Sequence, residues 1–551
     1  MTTQRSATVA RLFKGGARSG DVVRAGRLLR RGTALPCSSS VFCNRRAGHG
    51  GAVPLRLLLA ALLGLAVAAF AQQPSPAPPA PPQQNPVNPP PPRPRPPRPR
   101  PRPPIATIAD LLITGGTVVT MNPAQPILND GALMVRGSVI LEVGPREKLE
   151  GQYPDARRID ARGHIVLPGF INTHTHAPMA LLRGLANDMT LEDWLTKAIF
   201  PAEARNVTED FSTWGTRLAA LEMIEGGTTT FVDMYYFEDA VAREAKAAGL
   251  RGVLGETVID VPVPDSRSVG QSLAQIEEYL QRWQGDPLIR PAVAPHSPYT
   301  CSADTLRRAA ALARRYHAPL LIHVAETKHE REESLAAKQL SPVAWLESIG
   351  FLGPDVLAAH CVWVDEADRK ALAARGAGCA YNPSSNMMLA SGVAPVPLLL
   401  AAGVRLGLGT DGPAGSNNDL DMMLEMNVGA KLQKVSQLDP RALSAAQMLE
   451  MATLGGARAL HMEDQIGSLE AGKQADIILL RAGVSHGLPI YDLPAEIVYA
   501  LNASDVDTVI VAGRVLMHDR RVLTLDKPSI LAKAKEYGEK VRQSLAPATK
   551  P

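Results

Sequence analysis

Four short apolar segments of this chain each lead to a side chain that can bind a metal ion, and this recurrence constrains the fold more than any other feature. Ile165-Val-Leu167 runs into Pro168-Gly-Phe-Ile-Asn-Thr-His-Thr-His-Ala177, which carries His174 and His176. Ala318-Pro-Leu-Leu-Ile-His-Val-Ala-Glu-Thr327 closes on His323, with Glu326 three residues on. Asp355-Val-Leu-Ala-Ala-His-Cys361 closes on His360, and Val404-Arg-Leu-Gly-Leu-Gly-Thr-Asp-Gly412 on Asp411. Helix-like stretches separate these runs, and alternation of that kind predicts parallel βα architecture. In a (β/α)₈ barrel the strand ends converge on one face, which is where such barrels carry their chemistry. On a strand, alternate residues face the same way, so His174 and His176 can point at one spot. Two imidazoles only begin a metal site, since a zinc site needs three or four ligands. The other strand ends supply candidates for the rest.

The flanks read differently. Asp110 to Thr120, Gly131 to Val143, Ala475 to Leu480 and Asp507 to Leu516 are β-like runs broken by turn residues. The predicted organisation is a small β-sandwich built from 105–166 and 461–540 around a (β/α)₈ barrel over 167–460. Helices are predicted over Phe211–Glu225, ended by Gly226-Gly227, and Ala303–Tyr316.

Residues 1–104 stand apart. They hold fifteen Arg and one Lys against a single acid, Asp21, so the chain's net charge of +4 hides a body of about −11. An acidic body argues against a nucleic-acid partner. After Arg56, the apolar stretch Leu57 to Phe70 ends in Ala69-Phe-Ala71, the flank, core and cleavage site of a secretory signal peptide. Residues 1–71 are therefore read as a leader and the protein as exported, to the periplasm or beyond the cell, with no transmembrane segment in the mature chain. An Arg-rich organelle transit peptide is the rival reading; the A-x-A end favours export. Residues 72–104 are Pro-rich with Arg93, Arg95, Arg98, Arg100 and Arg102, a composition suited to a stiff, extended linker.

Other histidines and the cysteines weigh less. His296 ends another apolar run, Arg290-Pro-Ala-Val-Ala-Pro-His-Ser-Pro-Tyr299, and is read as a pocket residue. For Glu326 the competing reading is a surface pair with Lys328, and for Asp411 a turn residue. Cys301, Cys361 and Cys379 form no C-x-x-C pair and are read as buried free thiols.

Taken together and in order, Pro168-Gly-Phe-Ile-Asn-Thr-His-Thr-His176, His323-Val-Ala-Glu-Thr327, Ala359-His-Cys361 and Leu408-Gly-Thr-Asp-Gly-Pro-Ala-Gly-Ser-Asn-Asn-Asp419 resemble the amidohydrolase superfamily. The resemblance spans about 105–540 and is strongest to the deaminase branch that includes 5′-methylthioadenosine/S-adenosylhomocysteine deaminases and triazine chlorohydrolases. It implies a (β/α)₈ barrel with a β-sandwich and one divalent metal, zinc, with Fe2+ the alternative. No lysine occurs in Ala294 to Thr300 that could bridge a second metal as its carbamate. The implied ligands are His174, His176, His323 and Asp411, with a water in the fifth position. By the same resemblance Asp411, Glu326 and His360 are the proton-handling residues, Glu326 and Asp411 also meeting the substrate.

Ala177 to Gly184, Leu191-Glu-Asp-Trp-Leu195 and Phe200-Pro-Ala-Glu203 resemble the adenosine-type deaminases. There Glu203 would bind the ribose hydroxyls, His296 the purine side, and Trp194 would wall the pocket. The chain departs from that pattern where the family places arginines for a homocysteine carboxylate. Glu256 stands at one such place, and Arg267 and Arg282 are the candidate replacements. The implied activity is hydrolytic deamination of an aminopurine nucleoside of the methylthioadenosine, adenosine or S-adenosylhomocysteine type. The partner is a small aminated heterocycle, and a homo-oligomer is compatible with it. The alternatives are a same-fold hydrolase acting on guanine or a triazine-type ring, and a catalytically silent barrel that only binds.

Overall fold

The computed structural model describes residues 110–546; the leader 1–71 and the Pro/Arg tract 72–104 lie outside the described residues. Eight parallel strands close into a barrel in sequential order. They are β1 (Phe170–Thr175), β2 (Thr228–Tyr235), β3 (Arg251–Val258), β4 (Ile289–Pro295), β5 (Leu320–Val324), β6 (Val356–His360), β7 (Gly378–Tyr381) and β8 (Arg405–Leu408). The ring is sealed where Leu408 of β8 pairs with Asn172 of β1. Every residue of β1, β2, β3 and β5 is buried, as expected of parallel strands covered on both faces. That double burial is why β5, Leu-Leu-Ile-His-Val, reads as a short apolar run.

Local signals set the helix limits. Thr208 caps helix Glu209–Glu225, its side chain accepting from the Phe211 N–H, and Gly226 follows the last turn. Ser302 caps Ala303–Arg315 in the same way through Thr305.

The two flanks meet in one nine-stranded mixed sheet. Its seam is strand His164–Pro168, parallel to Leu111–Val119 on one side and antiparallel to Ile477–Arg481 on the other. The run Ile165-Val-Leu167, read from sequence as feeding straight into the histidine pair, thus belongs to this sheet. The barrel strand proper starts at Phe170. Gly169 makes the break: a β-carbon there would stand 2.1 Å from the Thr229 methyl, so only glycine lets the chain pass from sheet to barrel. Two flank segments read as single β-runs are hairpins, turned at Gly137 (φ 61°) and Gly513 (φ 73°). The buried pair Arg251–Asp476, with N–O distances of 2.9 and 3.2 Å, ties the start of β3 to the sheet. Among the described residues no helix is long and apolar enough to cross a membrane.

Candidate metal and acid–base centre

The barrel's carboxyl ends bring the sequence-selected side chains to one place. His174 lies near the end of β1 and His176 just past it; His323 is the penultimate residue of β5; His360 ends β6; Asp411 follows β8 by three residues. The Asp411 Oδ1 stands 3.3 Å from His174 Nε2 and 3.2 Å from His176 Nε2. His323 Nε2 lies 3.3 Å from His176 Nε2.

Outer contacts fix which ring nitrogens face inward. His176 Nδ1 meets the Met234 carbonyl at 2.6 Å and His323 Nδ1 the His296 carbonyl at 2.8 Å. A carbonyl only accepts, so both Nδ1 atoms carry the proton and both Nε2 atoms present bare lone pairs. His174 Nε2 is buried with no hydrogen-bond partner. Bare imidazole nitrogens converging beside a carboxylate oxygen repel one another unless a cation lies among them. This donor set fits a divalent ion held by His174, His176, His323 and Asp411.

His360 is set up differently. Its Nδ1 receives the side-chain amides of Asn386 at 3.1 Å and Asn382 at 3.3 Å, so the neutral ring carries its proton on Nε2. That nitrogen faces Glu326 Oε2 at 3.7 Å. Burial holds the basicity of His360 down to about 3, so the ring is neutral at physiological pH. Burial, the Asp411 charge and Glu330 push the Glu326 carboxyl well above its ordinary range. A carboxyl whose neutral form is favoured, beside a neutral histidine, is an arrangement for donating protons. Glu326 is 3% exposed, and Lys328 pairs instead with Glu332, so the surface-pair reading of Glu326 does not describe it.

The pocket above these groups is also faced by Glu203, Trp194 and His296. Glu203 accepts from the Tyr235 hydroxyl at 2.7 Å, and burial raises its pKa to about 7 against that bond. Trp194 opens a single π-helical turn, Trp194–Ile199, and its indole N–H donates to the Ala414 carbonyl at 2.8 Å. His296 gives its backbone carbonyl to His323 and its ring to the pocket, 3.0 Å from Thr300 Oγ1. Neither Arg267 nor Arg282 lines this pocket; Arg282 pairs with Asp239 at 2.7 Å. Glu256 is turned away as well, accepting the Glu238 N–H at 2.8 Å.

Several supporting residues escape sequence reasoning. Asp233, on β2, accepts from Thr175 Oγ1 at 2.5 Å and from the Ala177 N–H at 2.6 Å, bracketing His176. Asn172 joins β1 to Thr410 through two hydrogen bonds of 2.8 and 3.1 Å. Ser385 donates to Asp411 Oδ2 at 2.6 Å. The backbone is left-handed at Ala325, His360, Cys361 and Asp411 (φ 52°, 74°, 48° and 65°). Strained non-glycine positions of this kind cost about 1–3 kcal/mol each and gather at functional sites. Cys301, Cys361 and Cys379 are buried free thiols.

A barrel that aims such a donor set and an acid–histidine pair at one point defines a hydrolase working through a divalent cation. More particularly, the chain belongs to the amidohydrolase family, whose sequence profile matches residues 165–516. It is 47% identical over 434 residues to a 5-methylthioadenosine/S-adenosylhomocysteine deaminase of Syntrophobacter fumaroxidans, covering 79% of this chain and 99% of that one. It is 42% identical to a 5′-deoxyadenosine deaminase of Methanosarcina mazei, with 79% and 99% covered. Among solved structures, an adenosine deaminase from Xanthomonas campestris with bound zinc superposes with a TM-score of 0.77 at 37% identity, covering 79% of this chain and 99% of that one. The chain is accordingly an enzyme that hydrolyses carbon–nitrogen bonds.

Proposed function

We propose that this protein deaminates an aminopurine nucleoside, replacing the ring amine with oxygen from water and releasing ammonia. The observation that carries this reading is that one pocket holds both the proton-donating pair Glu326–His360 and, on its wall, the carboxyl of Glu203. The names of the relatives support the same substrate class.

A divalent ion, for which we propose zinc, supplies a water acidified toward neutrality when bound by His174, His176, His323 and Asp411. Asp411 would accept the proton that the nucleophilic water gives up and return it to the departing amine, which leaves as ammonia. Its Oδ2 is oriented by Ser385 and its Oδ1 by the Gly412 N–H at 2.7 Å. Glu326 protonates the ring nitrogen next to the amine-bearing carbon, so negative charge does not accumulate there. His360 directs its Nε2–H toward the oxygen developing at that carbon. Glu203 accepts the vicinal ribose hydroxyls, for which one carboxylate has enough lone pairs. Trp194 and His296 flank the purine.

Export is supported by the apolar stretch ending in Ala69-Phe-Ala71. The test of function is ammonia release from a panel of adenine nucleosides, guanine and a triazine. Release from the nucleosides is expected; turnover confined to guanine or the triazine contradicts the reading.

A further inference from the structure

Behind the metal centre the barrel buries two acidic side chains that the proton-handling residues do not use. Asp233 and Glu238 are each 0% exposed. Asp233 Oδ1 accepts both bonds that bracket His176, from Thr175 Oγ1 and from the Ala177 N–H. Its Oδ2 and both oxygens of Glu238 are buried and receive no N–H or hydroxyl. These two carboxyls meet one another instead.

Two buried carboxyls in contact cannot both be ionised, and one proton between them turns repulsion into a hydrogen bond. The surrounding donors decide where that proton sits. Asp233 already receives an O–H and an N–H, which favour its charged form, whereas the Glu238 carboxyl receives neither. Burial and the charges of Asp233 and Glu256 push Glu238 well above the ordinary carboxyl range.

The chain is built to hold Glu238 in this position. It opens helix Glu238–Ala248, where the helix dipole favours a charged carboxylate. Full burial against a second carboxyl outweighs that preference. Two further acids fix the turn: Glu256 accepts the Glu238 N–H at 2.8 Å, and Asp265 the Phe237 N–H at 2.9 Å. Phe237 is left-handed there, with φ 58°.

Resting on the reading of the site above as a metal centre, we propose that Glu238 is a positioning residue for His176. Its carboxyl carries the proton and donates it to Asp233 Oδ2, which keeps Asp233 an ionised acceptor for the backbone around that ligand. Without the donor, a buried Asp233 takes up a proton of its own. Its bonds to Thr175 and Ala177 then lose their charge assistance, and the site loses a negative charge that favours a cation.

The test is the zinc dissociation constant of the full chain, measured by chelator competition without substrate. Glu238→Gln keeps a neutral donor of the same shape and is expected to bind zinc as tightly as the wild type. Glu238→Leu removes the donor and is expected to weaken zinc binding by about 10- to 100-fold. A Leu variant that melts lower yet binds zinc unchanged has lost stability alone and overturns the inference. So does a Gln variant as weak as the Leu one. A second readout needs only the Gln variant. The infrared spectrum of the wild type minus that of Glu238→Gln, at neutral pH, is expected to show the C=O stretch of a protonated carboxyl, and its absence overturns the assignment. A wild type that binds no zinc overturns the metal centre and this inference with it. No substrate enters either measurement, so silence on adenine nucleosides would overturn the deaminase reading alone.

Discussion

The Nε2 atoms of His176 and His323 stand 3.3 Å apart, and each ring meets a backbone carbonyl through its Nδ1, leaving Nε2 bare. Two unshielded lone pairs at that distance repel, and only a cation between them turns the contact favourable. Chelation is therefore expected to lower the melting temperature as well as abolish turnover. At free metal about 1,000-fold above its dissociation constant, the bound ion stabilises the fold by about 4 kcal/mol. Thermal melts of stripped and zinc-reloaded protein check this; equal melting temperatures would contradict it.

Glu326→Gln removes the proton donor and keeps the shape. A fall in kcat of about 10²- to 10⁴-fold is expected, with little change in KM. The variant is expected to melt no lower than the wild type, because a buried acid becomes a neutral amide. Steady-state kinetics and a thermal melt measure both.

Glu330 aims Glu326. Its carboxylate accepts the N–H of Ala325 at 2.9 Å and of Glu326 at 2.7 Å, holding the left-handed turn at the tip of β5. Glu330→Ala leaves two buried donors unpaired, at a cost of about 1–3 kcal/mol each. Glu330→Gln keeps one acceptor and is expected to recover part of both stability and kcat, as denaturant unfolding and kinetics will record.

Glu203 supplies a pH signature. Its carboxyl titrates near 7, and its charged form is the better acceptor for ribose hydroxyls. kcat/KM is expected to rise with pH through about 7 and then level off. The Tyr235 hydroxyl stabilises the charged form. Tyr235→Phe is thus expected to move the rise to higher pH, and Glu203→Gln to remove it. A pH profile unchanged in both variants would exclude this role for Glu203.

The parts of this site legible in the sequence share one physical origin. Strands buried on both faces must be apolar, so a histidine or aspartate at the tip of such a run stands out, as His323, His360 and Asp411 do. Glu330 gives no such signal. It sits in Lys328-His-Glu-Arg-Glu-Glu333, which looks like a solvated helix face until the turn beside it is seen to need an acceptor. Asn382-Pro-Ser-Ser-Asn386 follows the apolar run of β7 and obeys the same strand-end rule. Its members are amides and hydroxyls that act on His360 and Asp411, and residue type alone did not single them out. The Pro168-Gly169 junction misled for a different reason: two buried strands in tandem read as one, although they belong to different sheets.

The most direct measurement is ammonia release by the zinc-loaded enzyme on methylthioadenosine, with and without chelator and with Glu326→Gln alongside. Release that the chelator abolishes and the substitution cuts at least about 100-fold is the expected result. Turnover that survives either treatment, or a metal-loaded protein silent on every adenine nucleoside, would contradict the account.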